Sequence, residues 1–210
     1  MLRSVSLLAA VLALAVPSYA ASPSMPSFEH ALQGVRASML STMTQQKAAR
    51  SLADAATLQR LAWDAQRAEN EASRLRWRVS DMRRRAQQLQ RQPGGRRDAF
   101  FESDLRRLVW DLRSLEDDTE SLERSVQSEA ARATADPNLV AAADRLLNNA
   151  RSLRSSAGWL QNETRWARWD ISRAGYNFEA WDVERHGDDI QRAADDAEQS
   201  AQSLAQKIRG

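Results

Sequence analysis

Between Asp136 and Ala174 the chain carries an unbroken apolar ladder whose rungs alternate in spacing between four and three. They are Leu139, Ala143, Leu146, Ala150, Leu153, Ala157, Leu160, Thr164, Ala167, Ile171 and Ala174. A helix returns to the same face every 3.6 residues, so this spacing draws one continuous seam along one side of a long helix. Such a seam is unstable in water alone and demands partner helices along its whole length.

The rest of the chain supplies three more ladders. One runs from Leu58 through Leu61, Ala65, Ala68, Ala72, Leu75, Val79, Met82 and Ala86 to Leu89, and Gln92-Pro93-Gly94-Gly95 ends it. Proline has no N–H to continue the helix, and paired glycines permit the reversal. A second, the bulkiest, occupies residues 98–133 with Phe101, Leu105, Leu108, Leu112, Leu115, Thr119, Leu122 and Val126 on its seam. Asp136-Pro137 then provides a cap followed by a helix-starting proline. After Gly175, the last ladder follows: Ala180, Val183, Gly187, Ile190, Ala194, Ala197, Ala201, Leu204 and Ile208. Small and large rungs interleave in the third and fourth ladders, which suits interlocking backbones. The chain is rich in Ala, Leu, Arg and Gln and poor in Gly, Pro and β-branched residues, so helix is favoured throughout. The expected fold is all-α: an antiparallel up-down-up-down bundle of four long coiled-coil-like helices with an extra N-terminal helical segment.

Three regions are expected. Residues 1–20 read as a signal peptide: Arg3 precedes an apolar run from Val5 to Val16, and Ser18-Tyr19-Ala20 offers small residues at the cleavage positions. The mature chain would be exported, periplasmic or extracellular, with no transmembrane anchor after cleavage. It has no cysteine, hence no disulfide. Residues 21–56 form an N-terminal helical extension in which Ser27 caps a helix bearing Phe28, Leu32, Val35, Met39 and Met43. Its register fails between Met43 and Leu58, where Gln46, Lys47, Ser51 and Asp54 would fall on the seam, so a bend, a break or a change of packing face is expected. Its apolar face needs cover, either by folding back or by self-association. Residues 57–210 form the bundle.

Charge alternates along the chain. Residues 47–97 carry a net +8, residues 98–136 −6, residues 137–174 +3 and residues 175–210 −4. Acidic partners therefore explain the basic first helix more simply than nucleic acid does. The match of Leu58-Gln59-Arg60-Leu61-Ala62-Trp63-Asp64 to Leu105-Arg106-Arg107-Leu108-Val109-Trp110-Asp111 points to a duplicated helix.

Seven tryptophans stand out. On heptad numbering Trp63, Trp77, Trp110 and Trp169 fall opposite the seam, and Trp159 and Trp166 fall beside it. Either a broader fold covers them or they form an exposed surface for a partner. Alternating helix directions would bring the Pro93-Gly94-Gly95 turn and the Gly175 turn to one end. That tip would collect Arg83, Arg84, Arg85, Arg91, Arg96 and Arg97 with Arg165, Trp166, Arg168, Trp169, Tyr176 and Trp181. Guanidinium and indole groups together suit an anionic polymer, a lipid head group or an acidic protein segment. Only His30 and His186 are available for metal or acid–base chemistry. Asp182, His186 and Asp189 share one helical face and read as a solvated stripe. No phosphate loop, nucleophile elbow or zinc-protease spacing occurs. No catalytic residue, cofactor or metal is expected. The leading expectation is an exported, non-catalytic protein acting through protein–protein interaction as a scaffold, adaptor or chaperone-like binder. The alternative is a binder of anionic polymer or membrane surface through the Arg/Trp tip.

Overall fold

The computed structural model describes residues 28–91 and 98–210; the side chains of residues 28–32, 34, 35 and 53 are outside that description. The expected signal peptide, the Ser27 cap, the Pro93-Gly94-Gly95 turn, Arg96 and Arg97, and the side chains of Phe28, Leu32 and Val35 all lie outside the described residues. Four helices account for nearly everything else: α1 (Phe28–Gln90), α2 (Ala99–Arg132), α3 (Val140–Arg173) and α4 (Asn177–Arg209). A single 3-10 turn, Pro137–Leu139, precedes α3. No described helix is long and apolar enough to cross a membrane.

The chain divides into two units, one ending at Gln46 and one spanning Lys47–Gly210. In the first, the described side chains are exposed, Met39, Leu40 and Met43 among them. α1 itself is unbroken across 63 residues. Of the bend, break or change of packing face expected between Met43 and Leu58, the break is therefore absent. Backbone bonds within a helix do not depend on which face is apolar, and no proline or glycine interrupts this stretch.

In the second unit the four ladders bury one another. Leu75, Val79, Leu105, Leu112, Leu146, Leu153, Leu160, Ile171 and Ile190 have essentially no exposed surface. Two polar rungs, Thr119 and Thr164, are equally buried. Each hydroxyl donates back to a carbonyl of its own helix, to Leu115 at 2.7 Å and to Gln161 at 2.8 Å, so neither leaves an unmet donor. Gly187 matters for closeness: a Cβ there would overlap the Thr164 side chain, so only glycine lets α3 and α4 meet at this level.

Cross-helix bonds give the pairing. Arg78 meets Asp111 and Arg85 meets Asp104, so α1 and α2 run in opposite senses. Arg154 with Asp195 and Arg168 with Glu184 show the same for α3 and α4. Asn149 donates to the Ala62 carbonyl (2.8 Å), and Arg83 reaches Asp170 (3.0 Å), so α1 and α3 run in the same sense. Glu116 with His186 and Lys207 with the Ala130 carbonyl place α2 beside α4, also in the same sense. No hydrogen bond or ion pair joins α2 to α3 among the described residues. Two of the four borders thus join helices of like charge, which alternation along the sequence did not foretell.

The turns are fixed by short-range bonds. Asp98 caps α2 by accepting from Phe100 N–H (2.9 Å) and Phe101 N–H (3.2 Å). Asp136 accepts from Asn138 N–H (3.0 Å), and that bond, with a further one from Ser51, holds its carboxyl below the usual range. Gly175 turns α3 into α4 at φ +97°, a conformation that side chains disfavour.

Candidate functional site: an outward indole surface

All seven indoles lie in water, from 50 % exposed at Trp181 to 76 % at Trp63. Phe100 and Phe178 join them, at 82 % and 75 %. An indole in solvent forgoes a large burial gain, so exposed indoles on the outer side of every one of the four helices are a distinctive feature. Four of them carry a guanidinium over the ring: Arg76 over Trp159 (5.1 Å), Arg83 over Trp166 (5.7 Å), Arg168 over Trp169 (5.9 Å) and Arg185 over Trp181 (5.2 Å). Each such pair contributes about 0.5–1 kcal/mol at an exposed site.

The border between the two basic helices shows what these stacks do. Arg76 over Trp159 and Arg83 over Trp166 repeat one contact a heptad apart. Ser73 and Ser156 meet just beyond them (3.5 Å). Gln87 donates to Asp170 (2.8 Å) and Gln90 to the Asp170 carbonyl (2.7 Å). Indole faces and amides thus border guanidinium groups where further arginines would repel. At the acidic border the converse holds. His186 is 4 % exposed and bonds through Nδ1 to Glu116, and Lys207 caps the Ala130 carbonyl (2.7 Å). Burial raises the Glu123 carboxyl above its ordinary value there, and Asp196 and Glu120 add to it.

His186 corrects the expectation of a solvated Asp182–His186–Asp189 stripe. It is 4 % exposed and turned toward Glu116 of α2. Among the described residues, no group of three or more His, Asp or Glu is placed to hold a metal ion.

The expected tip is partly assembled. The Tyr176 hydroxyl accepts from Asp98 N–H (3.0 Å) and donates to the Asp98 carbonyl (3.2 Å), so the start of α2 and the α3–α4 turn do meet. Tyr176 itself is only 3 % exposed and packs on Phe101 with ring centroids 5.0 Å apart, so it contributes to the core, and its surface is closed to a partner. The arginines are largely engaged. Arg83 holds Asp170 and Glu163, Arg84 pairs with Asp81 (3.6 Å), Arg85 with Asp104 (2.7 Å), Arg165 with Asp188 (3.0 Å) and Arg168 with Glu184. Arg91 is exposed at the C-terminal end of α1. Trp166, Trp169 and Trp181 remain open to solvent.

A surface cavity of about 570 Å³ opens at the opposite end, beside Leu58, Leu204 and Ile208. Arg50, Arg132, Asp54 and Glu129 wall it with mixed charge. No family model, no curated protein and no solved structure matches this chain.

Proposed function

We propose that this chain is an exported, non-catalytic binding protein, cleaved after residue 20, whose up-down-up-down helical bundle serves as a rigid support for an outward indole surface. The bundle reading is supported by the opposite senses of α1 and α2 and of α3 and α4. The binding reading rests on one observation: every one of the seven indoles is at least half exposed. Aromatic side chains are enriched where proteins grip one another, because they bury much area at small cost in rotamer freedom. A protein partner, with the bundle as scaffold, adaptor or chaperone-like binder, is the favoured occupant. The exposed Met39 and Met43 suit self-association of the N-terminal segment.

A photoreactive residue placed in turn at Trp110, Trp169 and Trp181 of the full chain tests this. A discrete protein adduct from at least one position, absent from the buried control Leu153, is the expected result. Absence of adducts from all three overturns it. Binding of an anionic polymer or membrane surface at the tip is the second reading, favoured by the exposed Arg91. Salt-sensitive retention on heparin or anionic vesicles, lost in Arg91→Gln, would support it.

A further inference from the structure

One face of the bundle differs in chemistry from the rest. Along the outer side of α1, residues at alternating spacings of three and four read Trp63, Gln66, Asn70, Ser73, Trp77 and Ser80. Along the outer side of α3 the matching line reads Asn148, Ser152, Ser155, Trp159, Asn162 and Trp166, and continues to Trp169. The two lines flank the α1–α3 border and run side by side in the same sense, tied by Ser73 to Ser156 and by Arg76 over Trp159. All are exposed except Ser80, which is half-buried. Neither line contains a charged residue over this length, in a chain that is 28 % charged. The charged groups at the border between them are already engaged: Glu69 by Gln66, Arg83 by Glu163 and Asp170, and Arg76 over Trp159. The corresponding line on α2 is of the other kind: Arg106, Trp110, Arg113, Asp117, Glu120 and Arg124.

We infer that the α1–α3 face binds an uncharged polysaccharide strand, with Trp63 and Trp77 as stacking platforms, Trp159, Trp166 and Trp169 stacking through the ring surface that Arg76, Arg83 and Arg168 leave exposed, and the intervening amides and hydroxyls as its hydrogen-bonding partners. A pyranose ring offers an apolar C–H face and a rim of hydroxyls. It therefore needs flat aromatic surface next to neutral donors and acceptors, and an ionic partner adds nothing. Asn70, Asn148 and Asn162 are exposed and make no hydrogen bond within the chain, so their donors and acceptors are open to a ligand. Successive platforms on one helix, such as Trp159 and Trp166, are seven residues and about 10.5 Å apart, and the span from Trp63 to Ser80 is about 25 Å. That length suits a run of several sugar units lying along the helices. The open, shallow surface suits a polymer better than a small molecule, which needs enclosure. Trp110 on α2 and Trp181 on α4 lie off this face, so a protein partner gripping those two indoles leaves it open.

The test is titration of the full chain with soluble oligosaccharides of β-1,4-linked glucose and of β-1,4-linked N-acetylglucosamine, followed by calorimetry and by tryptophan emission. Binding to at least one, little changed between low and high salt, is the expected result. Trp77→Ala and Trp159→Ala should each weaken it by about tenfold, and Trp110→Ala on α2 should leave it unchanged. All three positions are exposed, and circular dichroism checks that each variant stays folded. Failure to bind either oligosaccharide overturns the inference. So does binding confined to heparin or alginate and abolished by salt, equal loss in Trp110→Ala, or a protein adduct from position 159 without saccharide binding.

Discussion

Gly187 and Thr164 show how a single atom group sets the spacing of two helices. The Thr164 side chain occupies the space that a Cβ on Gly187 would need. Gly187→Ala gains roughly 1 kcal/mol of helix propensity but adds overpacking of about 1–3 kcal/mol. Net destabilisation of about 1 kcal/mol is expected in urea unfolding. Adding Thr164→Ala should recover part of it, because the hydroxyl and methyl are gone while the Thr164 Cβ, 3.0 Å from the new one, remains. Glu123 makes a second prediction at this scale. Its carboxyl is raised in the folded chain, first by burial and then by Asp196 and Glu120. The charged form is thus disfavoured on folding, and this group costs stability above its folded pKa and ceases to cost it as the pH falls through that value. Glu123→Gln should raise the melting temperature at pH 7 and have little effect at pH 3. An equal effect at both would deny the strain.

At the scale of the element, each helix has a seam that must be buried and an outer side that need not be. Leu153→Ala, on the α3 seam, should cost about 2–5 kcal/mol, while Trp77→Ala, on the outer side of α1, should fall within roughly 0.5 kcal/mol of the parent. Comparable losses at the two positions would mean that the indole is covered. Asp98→Ala removes the α2 cap and should cost about 1 kcal/mol, measured by the same unfolding curve. Much of this was legible in advance. Period marks Leu105, Leu146, Leu160 and Ile190 as seam, and turn and cap chemistry marks Gly175 and Asp136-Pro137 as helix boundaries. What period does not carry is which helix lies beside which. A seam states that a face is covered without naming the neighbour, so the contacts of basic α1 with basic α3, and of acidic α2 with acidic α4, had to come from coordinates. The burial of His186 is illegible for the same reason, since its partner Glu116 comes from another helix. Tyr176 was read as tip surface because its hydroxyl bond to Asp98 joins residues far apart in sequence. The polar register between Met43 and Leu58 says which side chains lack cover, and it leaves the helical backbone of α1 uninterrupted.

The molecule as a whole separates two kinds of apolar group. Aliphatic side chains close the interior of the unit Lys47–Gly210, and indoles are kept outside on every helix. The separation leaves like-charged helices to meet, and they do so through stacked Trp–Arg pairs and amides on one border and through His186 and Lys207 on the other. Surface ion pairs are worth only about 0–1 kcal/mol each, so the interior ladders hold the fold, and the surface is available for recognition. The most direct test of this division is tryptophan fluorescence of the full chain with acrylamide quenching. The account predicts emission shifted to the red, close to that of free indole, and quenching of all seven residues with no protected fraction. Blue-shifted emission with a fraction resistant to quencher, converted to the red only on unfolding, would contradict it.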